Sequence, residues 1–230
     1  MAQLSTFLAK IKRHVKDTAL NFTDADKDEF TKEAVAQYSR DKPLLRDSLL
    51  TGDGTTKTFD VPSDWVDGFS TLFKVEHPID KVPKNFIDVR DAVAVERQSN
   101  VPKILLLSLT LSNAETARIL YKAPHTVTAS SSTVLSNDED AVANLAAAFL
   151  ARALAAFFAE SIDASIDADI VNHAAKATLF SSIADKLKKK YVEHIQQGEV
   201  ETGVLVLHEQ DVNFSWGRNL LAPNHGRRFR

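Results

Sequence analysis

The chain has 230 residues, and 44% of them are hydrophobic, which is enough for the packed core of one large domain or two small ones. Its formal net charge of -3 provides no overall basic field, so DNA binding as the main role is disfavoured. The absence of cysteine excludes disulfides, thiolate zinc sites and cysteine nucleophiles, and it agrees with a reducing compartment.

Two helices are predicted near the N-terminus. Thr23, followed by Asp24 and Asp26, predicts the capped start of helix two, and Pro43 predicts its end. The apolar residues at helical spacing that predict helix one are Leu4, Leu8, Ile11 and Val15. Those expected to be buried in helix two are Phe30, Ala34 and Tyr38. The first seventeen residues alternate apolar and basic side chains, unlike the continuous apolar run of a signal peptide.

From Leu49 to Val127 the hydrophobic period changes to two, which predicts a small antiparallel sheet. Its predicted strands are 57–61, 69–77, 92–96, 104–109 and 117–121. In the second of these, the side chains expected on one face are Phe69, Thr71, Phe73, Val75 and His77. The glycines at 52 and 54 predict a hairpin turn instead of a phosphate-binding loop, because the following Lys57 enters a strand and not a helix.

Two further helices are predicted after a serine-rich connector. Helix three is expected from about 138 to 161. Its segment 142–159 imitates a membrane span, but Arg152 near the middle would cost about 2.5 to 3.5 kcal/mol in a bilayer, so a buried helix is predicted instead. Gly198 predicts the end of helix four, and 204–207 predicts a short strand after it. The stripe that helix four is expected to bury is Phe180, Ile183, Leu187, Tyr191 and Ile195.

Large apolar residues lie on more than one face of helix three, with alanines between them. A single neighbouring helix would leave much of this surface exposed, so packing against another subunit is predicted. The sheet and helices one and two compete for the same role. The residues assigned to the subunit contact are Phe149, Leu150, Leu154, Phe157 and Phe158.

The last twenty residues combine aromatic, leucine and arginine side chains with Gly217, Pro223 and Gly226, which interrupt regular structure. An extended segment with such anchors is typical of chains that dock into a groove on another protein, whereas a free C-terminus is usually polar. Residues 199–230 are therefore predicted to form an extended partner-binding arm. Its anchors are Phe214, Trp216, Arg218, Leu220, Leu221, Arg227, Arg228, Phe229 and Arg230.

No sequence pattern indicates catalysis, a cofactor or a metal. No two of the seven histidines lie three to five residues apart, which local metal pairs require. Asp163, Asp167 and Asp169 lack the glycine and the final glutamate of a calcium loop. The chain is therefore predicted not to be an enzyme. The lysines at 186–190 predict a solvated helix face, with phosphate contact as the alternative.

Several short sequence segments, here called phrases, resemble in content and order those of the head-to-tail adaptor proteins of tailed bacteriophages, also called head-tail connector or neck proteins. They are the end of helix two at 34–43, the turn and strand at 52–65 leading to Gly68-Phe69, the segment 121–125, and the alanine-rich helix followed by Asp167-Ala-Asp169 and an amphipathic helix. Together they cover about 34 to 197.

This resemblance implies a ring, usually of twelve copies, beneath the portal protein in the virion neck, after synthesis in the host bacterial cytoplasm. A downstream tail or neck protein would attach below, and DNA would pass through the lumen without specific binding. No membrane is implied. Family members often send a C-terminal arm against the portal, and residues 204–230 would be that arm.

The predicted fold class is α+β: a bundle of four main helices, with a small antiparallel sheet inserted between helices two and three and an extended C-terminal arm. The predicted divisions are 1–42 for the first helix pair, 43–135 for the sheet, 136–198 for the second pair and 199–230 for the arm. The alternatives are a tail-completion or terminator ring protein and, from another class, a nucleic-acid-binding module.

Overall fold

The structure is a computed structural model that describes residues 3–17, 21–87, 89, 93–98, 101–160 and 173–218, with the backbone alone for 98, 173–174 and 198–218. The helices in this part of the chain are α1 (Leu4–His14), α2 (Asp24–Asp41), α3 (Glu139–Glu160) and α4 (His173–Arg218). The strands are β1 (Leu44–Thr51), β2 (Thr58–Asp60), β3 (Thr71–Glu76), β4 (Phe86–Ile87), β5 (Val93–Gln98), β6 (Val101–Leu106) and β7 (Thr116–Ala123).

The order of these elements confirms the α+β fold class, with antiparallel strands between α2 and α3. Contacts within the chain divide it into two units, 1–5 with 32–134 and 6–31 with 135–230. The first unit contains the strands and the later part of α2, and the second contains most of α1, the start of α2, α3 and α4. The predicted divisions at 42, 135 and 198 stay predictions.

The strands form two sheets, where one was predicted. One sheet has the order β1-β7-β3-β4 and the other has the order β2-β6-β5. Every pairing within them is antiparallel. Strand β1 was not predicted, because its apolar residues come in adjacent pairs, Leu44-Leu45 and Leu49-Leu50, and do not alternate with polar ones. It pairs with β7 over its full length, from Leu44 opposite Ala123 to Thr51 opposite Thr116.

One cluster of side chains forms the core of the sheet unit. Its members are Leu50, Val75, Val93, Ile104, Leu106, Leu111, Ala117, Ile119, Tyr121 and Ala123. The ring of Trp65 packs 5.8 Å from that of Tyr121, whose hydroxyl donates a hydrogen bond to Asp64. Burial raises the pKa of the Tyr121 phenol, so this hydroxyl remains a donor over the whole neutral range.

The prediction that five residues at 69–77 share one face is wrong. The register of β3 against β7 shifts between Leu72 and Lys74, as at a β-bulge. As a result, Thr71 and Phe73 are exposed, whereas Val75 is fully buried. A bulge inserts one residue into the strand. A strict alternation of faces therefore assigns the residues on one side of the bulge to the wrong face of the sheet.

The predicted boundaries of α2 are confirmed. The Thr23 N–H donates to Asp26 Oδ2 at 2.7 Å, and the Asp26 N–H donates to Thr23 Oγ1 at 3.2 Å, which is a reciprocal capping arrangement. The helix ends two residues before Pro43. Of the residues expected to be buried, Ala34 and Tyr38 are fully buried and Phe30 is half-buried. In α1, Ile11 is buried as predicted, and so is Val15 directly after the helix. Leu4 and Leu8 are half-buried, and the pattern missed the fully buried Phe7.

Helix α3 packs along α4, and this contact explains its alanine content. Ten of its residues are buried, and six of these are alanines, which permit close approach of two helices. On α4 the predicted stripe is present: Leu187, Tyr191 and Ile195 are buried, and Phe180 and Ile183 are half-buried. By length and hydropathy the stretch Ser136–Glu160 is long and apolar enough to cross a membrane. However, 56% of its most apolar 18-residue segment is buried inside the protein. Core packing therefore accounts for its composition.

The predicted end of helix four at Gly198 is wrong, and so is the strand at 204–207. Helix α4 continues through both positions to Arg218. A glycine inside a helix costs about 1 kcal/mol relative to alanine, which lowers helix stability but does not stop the helix. The next proline is Pro223, and residues 219–230 lie outside the described residues. The part of the arm at 199–218 is thus helical and not extended.

We predict that Gly52→Ala lowers the free energy of unfolding by about 3 kcal/mol, because an added methyl overpacks the turn. A Cβ at this position would lie 2.3 Å from Leu111 Cβ and 2.6 Å from the carbonyl oxygens of Leu111 and Ser112. Gly68 is the matched control: it has φ +82° with open space around it, so Gly68→Ala is expected to cost only about 1 to 2 kcal/mol. Urea denaturation of both variants measures the difference, and equal losses would contradict the steric explanation.

Candidate functional site

Two of the phrases that resemble the adaptor family meet at one junction in the sheet unit. The His125 ring packs 4.7 Å from the Tyr38 ring, and its backbone N–H donates to Ser39 Oγ at 2.9 Å. Its ring nitrogens lie 2.9 Å from the Thr133 carbonyl oxygen and 3.1 Å from that of Lys42. His125 is 6% exposed. These residues therefore join the end of α2 to the segment after β7 and form no open site.

The turn phrase at 52–65 also has a structural role. The Asp53 carboxylate accepts hydrogen bonds from the Thr56 hydroxyl and from the N–H groups of Thr55 and Thr56. These bonds hold the pKa of Asp53 well below its usual value. Gly54 supplies the positive φ of +86°. The segment is thus a turn leading into β2, with a carboxylate where a phosphate-binding loop would need donors. The predicted hairpin is wrong, because β1 pairs with β7 and β2 pairs with β6.

A buried carboxylate lies on the outer face of the four-stranded sheet. The Glu76 side chain is 1% exposed, and it accepts hydrogen bonds from Arg118 Nη1 at 3.1 Å and from the Asp80 N–H at 3.2 Å. Arg118 also donates to Asp80 Oδ1 at 3.0 Å, and this hydrogen bond raises the pKa of the guanidinium. An open cleft of about 250 Å³ lies above them, with Leu45 and Phe86 in its lining. The cluster orders the loop between β3 and β4.

The described residues contain no group of three histidine, cysteine, aspartate or glutamate side chains able to hold a metal. Two of their histidines have carboxylate partners: His77 Nε2 lies 2.8 Å from Glu115 Oε1, and His194 Nε2 lies 2.9 Å from Oδ1 of the buried Asp138. The Ser112 N–H and His77 together lower the pKa of Glu115. These contacts tie structural elements together. The aspartates at 163–169 lie outside the described residues.

The residues predicted for subunit packing divide into two groups. Leu150 and Leu154 are fully buried within the single chain, so their packing needs no second subunit. Phe149 is half-buried. Phe157 is 43% exposed, and Phe158 is half-buried. Among the five, the most exposed apolar side chain is thus that of Phe157, at the end of α3.

Phe157 belongs to what we call the aromatic end, which comprises Phe157, Phe158, Lys176, Leu179 and Phe180. The Phe158 and Phe180 rings stack with centroids 5.6 Å apart and planes 6° apart. Lys176 Nζ lies 5.4 Å from the Phe158 centroid, and Leu179 is 58% exposed. Of the three α4 residues, only Phe180 was predicted, as a member of the buried stripe; Lys176 and Leu179 were missed.

The arm residues are placed only in part. Phe214, Trp216 and Arg218 belong to the helical backbone of α4. Leu220, Leu221 and the terminal anchors from Arg227 to Arg230 lie outside the described residues. The predicted lysine face is better defined, because Lys186, Lys188, Lys189 and Lys190 are all exposed on α4. Among them Lys189 has an ion pair, with Glu193 at 3.7 Å.

No protein-family model and no curated protein matches the chain. One similar solved structure is a chain from the virion of a native gene transfer agent (GTA) particle. The similarity covers 78% of this chain and 88% of that one, with 13% sequence identity and a TM-score of 0.29. A TM-score this low does not establish a common fold, so this similarity carries no functional argument.

We predict that Leu154→Ala mainly lowers stability, whereas Phe157→Ser mainly weakens self-association. The first removes a fully buried side chain and should lower the free energy of unfolding by about 2 to 5 kcal/mol. The second changes a residue that is 43% exposed, so it should cost no more than about 1 kcal/mol while weakening self-association. Urea denaturation and sedimentation velocity check both effects. A Phe157 variant as unstable as the Leu154 variant would contradict this division.

Glu76→Gln is expected to lower the free energy of unfolding by about 1 to 3 kcal/mol, because a buried acceptor of charged hydrogen bonds is replaced by an amide. Lys84→Gln serves as the matched control, since the Lys84 side chain is 59% exposed and its Nζ lies 3.9 Å from Glu76. An exposed partner at this distance should contribute nothing measurable. Thermal unfolding of the two variants tests the difference, and a larger loss for Lys84→Gln would show that the cluster has been misassigned.

Proposed function

We propose that this chain is a non-enzymatic structural protein of a phage-like virion, and specifically a head-to-tail adaptor. In this role it forms a ring beneath the portal protein, extends the DNA channel and provides the surface to which the tail attaches. The single observation that carries the proposal is the architecture. Antiparallel sheets inserted between two pairs of helices are what the resemblance of the sequence phrases implies.

The distribution of surface chemistry supports an assembly role. Phe157 and Leu179 expose apolar surface at the aromatic end, and Leu45 and Leu49 expose it on the sheet unit. Apolar residues grouped on a surface favour contacts with other proteins. The mild overall negative charge agrees with a channel wall along which DNA slides, because a basic wall would retain phosphates.

The arm would engage the portal as a helix followed by a short terminal segment. Residues 199–218 continue α4, so their docking follows the helix-in-groove mode of recognition instead of strand addition. The aromatic and arginine anchors at 214–230 are residue types enriched among interface hot spots. Ordering of this segment on the portal would couple ring formation to the assembly site.

Particles assembled without this chain are expected to be heads that lack tails, because no attachment surface would exist below the portal. Negative-stain electron microscopy of particles from cells in which the gene is deleted tests this expectation. Re-expression of the chain should restore tailed particles. Normally tailed particles in its absence would contradict the proposal.

Deletion of residues 204–230 is expected to weaken binding to the purified portal at least about tenfold, because the interface anchors are removed. Deletion of 219–230 alone is the matched comparison, since it leaves α4 complete and removes only the terminal segment. Pull-down of each variant by immobilised portal gives the measurement. Undiminished binding after the longer deletion would overturn the arm's role, and binding to the tail tube in place of the portal would indicate a tail-completion or terminator ring.

The exposed lysine face of α4 favours one alternative, a nucleic-acid-binding module. A gel-shift assay with duplex DNA at physiological ionic strength separates the two functions. A strong shift that weakens steeply with salt would favour DNA binding, because each phosphate contact releases counterions. The adaptor function predicts no such shift.

A further inference from the structure

The two sheets end in four edge strands that differ in length. Strand β4 has two residues and β2 has three, so both edges are too short to accept a partner strand. Strands β1 and β5 have eight and six residues, respectively. Within the described part of the chain, no strand pairs with their outer edges. Each sheet therefore keeps one long open edge.

The side chains on these two edges are exposed. In β1, Leu45 is 53% exposed, Leu49 is 54% exposed, and the charged residues between them are also exposed. In β5, Val95 is 45% exposed, and the two charged residues that follow it are exposed as well. Natural proteins usually protect a long apolar edge strand or pair it with another chain, because its unpaired N–H and C=O groups attract strands.

We propose that copies of this chain assemble head to tail by pairing the open edge of β1 in one copy with the open edge of β5 in the next. The occupant of each edge is thus a second copy of the same chain. A contact between two different surfaces repeats from copy to copy and generates a ring when the rotation closes. The inference rests on the proposed function only in that an adaptor ring needs such a contact.

Charge complementarity supports this pairing. With Asp47 placed opposite Arg97, an antiparallel arrangement sets Leu49 against Val95. A parallel arrangement sets Leu45 against Val95, and Arg46 against Glu96. Both directions match exposed apolar residues with each other and opposite charges with each other. Such cross-strand pairs stabilise sheets, whereas like charges directly opposite destabilise them.

Pairing of β1 with β1 of a second copy is less favourable. The antiparallel register that brings Leu45 opposite Leu49 also brings Asp47 opposite Asp47 of the second copy. That arrangement would place like charges in direct opposition. It would also close a two-fold dimer and occupy the β1 edge of both copies. The β1 edge therefore fits β5 better than it fits itself.

The charged residues of the proposed contact are accessible in the single chain. Arg97 forms an ion pair with Asp67, but its side chain is 64% exposed. Asp47 Oδ2 lies 3.9 Å from Arg118 Nε, and its side chain is 69% exposed. Ion pairs this exposed contribute little to stability, so both groups can exchange partners on assembly.

A charge-swap experiment tests the pairing with the full chain. Asp47→Arg and Arg97→Asp are each expected to weaken self-association at least about tenfold, because each puts like charges opposite one another. An equimolar mixture of the two variants should recover assembly to within about threefold of the natural chain, since the altered edges complement each other and the unaltered edges still match. Sedimentation velocity over a concentration series, and native mass spectrometry, give the readout. Single variants that assemble normally, or a mixture that fails to recover, would overturn the inference.

Cross-linking tests the same contact where association is weak, because the chain has no cysteine of its own. A mixture of Val95→Cys with Leu49→Cys, or with Leu45→Cys, is expected to form a disulfide-linked heterodimer under mild oxidation, and the reacting position reports the strand direction. Leu107→Cys mixed with Val95→Cys is the control, since Leu107 is 50% exposed but lies outside both edges. Two results would overturn the pairing: a control heterodimer as abundant as the edge heterodimers, or no heterodimer with either edge variant.

The outcomes separate this inference from the proposed function. A natural chain that binds the portal but shows neither the charge-swap recovery nor the edge cross-link contradicts the β1–β5 contact alone. A chain that shows both but is absent from tailed particles contradicts the adaptor role alone.

Discussion

The sheet unit depends on the register of β7, because this strand pairs with β1 on one side and β3 on the other. Its inner side chains, Ala117, Ile119, Tyr121 and Ala123, are buried, and Arg118 lies between them on the outer face. A slip of one residue would exchange the two faces and carry a guanidinium into the core. The turn at Gly52 fixes this register, since the Gly52 N–H donates to the Glu115 carbonyl at 2.8 Å and its own carbonyl accepts from Ala114 at 3.0 Å. Close backbone approach at one glycine thus determines which side chains the sheet presents.

The surfaces open to a partner follow from the same register. Arg118 on the outer face organises Glu76 and Asp80 and thereby orders the loop after β3. Because β7 is central, β1 lies at the end of the sheet, and no described strand pairs with its other side. In the helical unit, the alanine-rich helix α3 buries most of its apolar residues within the chain, and its exposed aromatic side chains lie at one end. Among the described residues, the strand edges and the end of α3 therefore carry exposed apolar side chains.

The sequence predicts those elements whose signals are local. The capping arrangement at Thr23 and the proline at 43 place α2, and the stripe on α4 from Phe180 to Ile195 identifies its buried face. Signals that depend on tertiary structure are missed. Nothing in the pattern of β3 marks its bulge, and the separation into two sheets depends on which strands pair over long range. The same limit applies to the site: Leu154 and Phe157 carry one pattern in the sequence, but only packing against α4 decides that the first is core and the second is surface.

The continuation of α4 through Gly198 changes what the C-terminal segment is able to recognise. At 1.5 Å per residue, its 46 residues extend for about 69 Å, whereas the 22 residues of α3 extend for about 33 Å. Helix α3 is therefore too short to pack along the whole of α4. A helix without a packing partner is marginally stable in water, because its stability in proteins comes mainly from burial of one face. A groove on another protein would supply that burial, and binding would then draw on the helical form that the backbone already adopts.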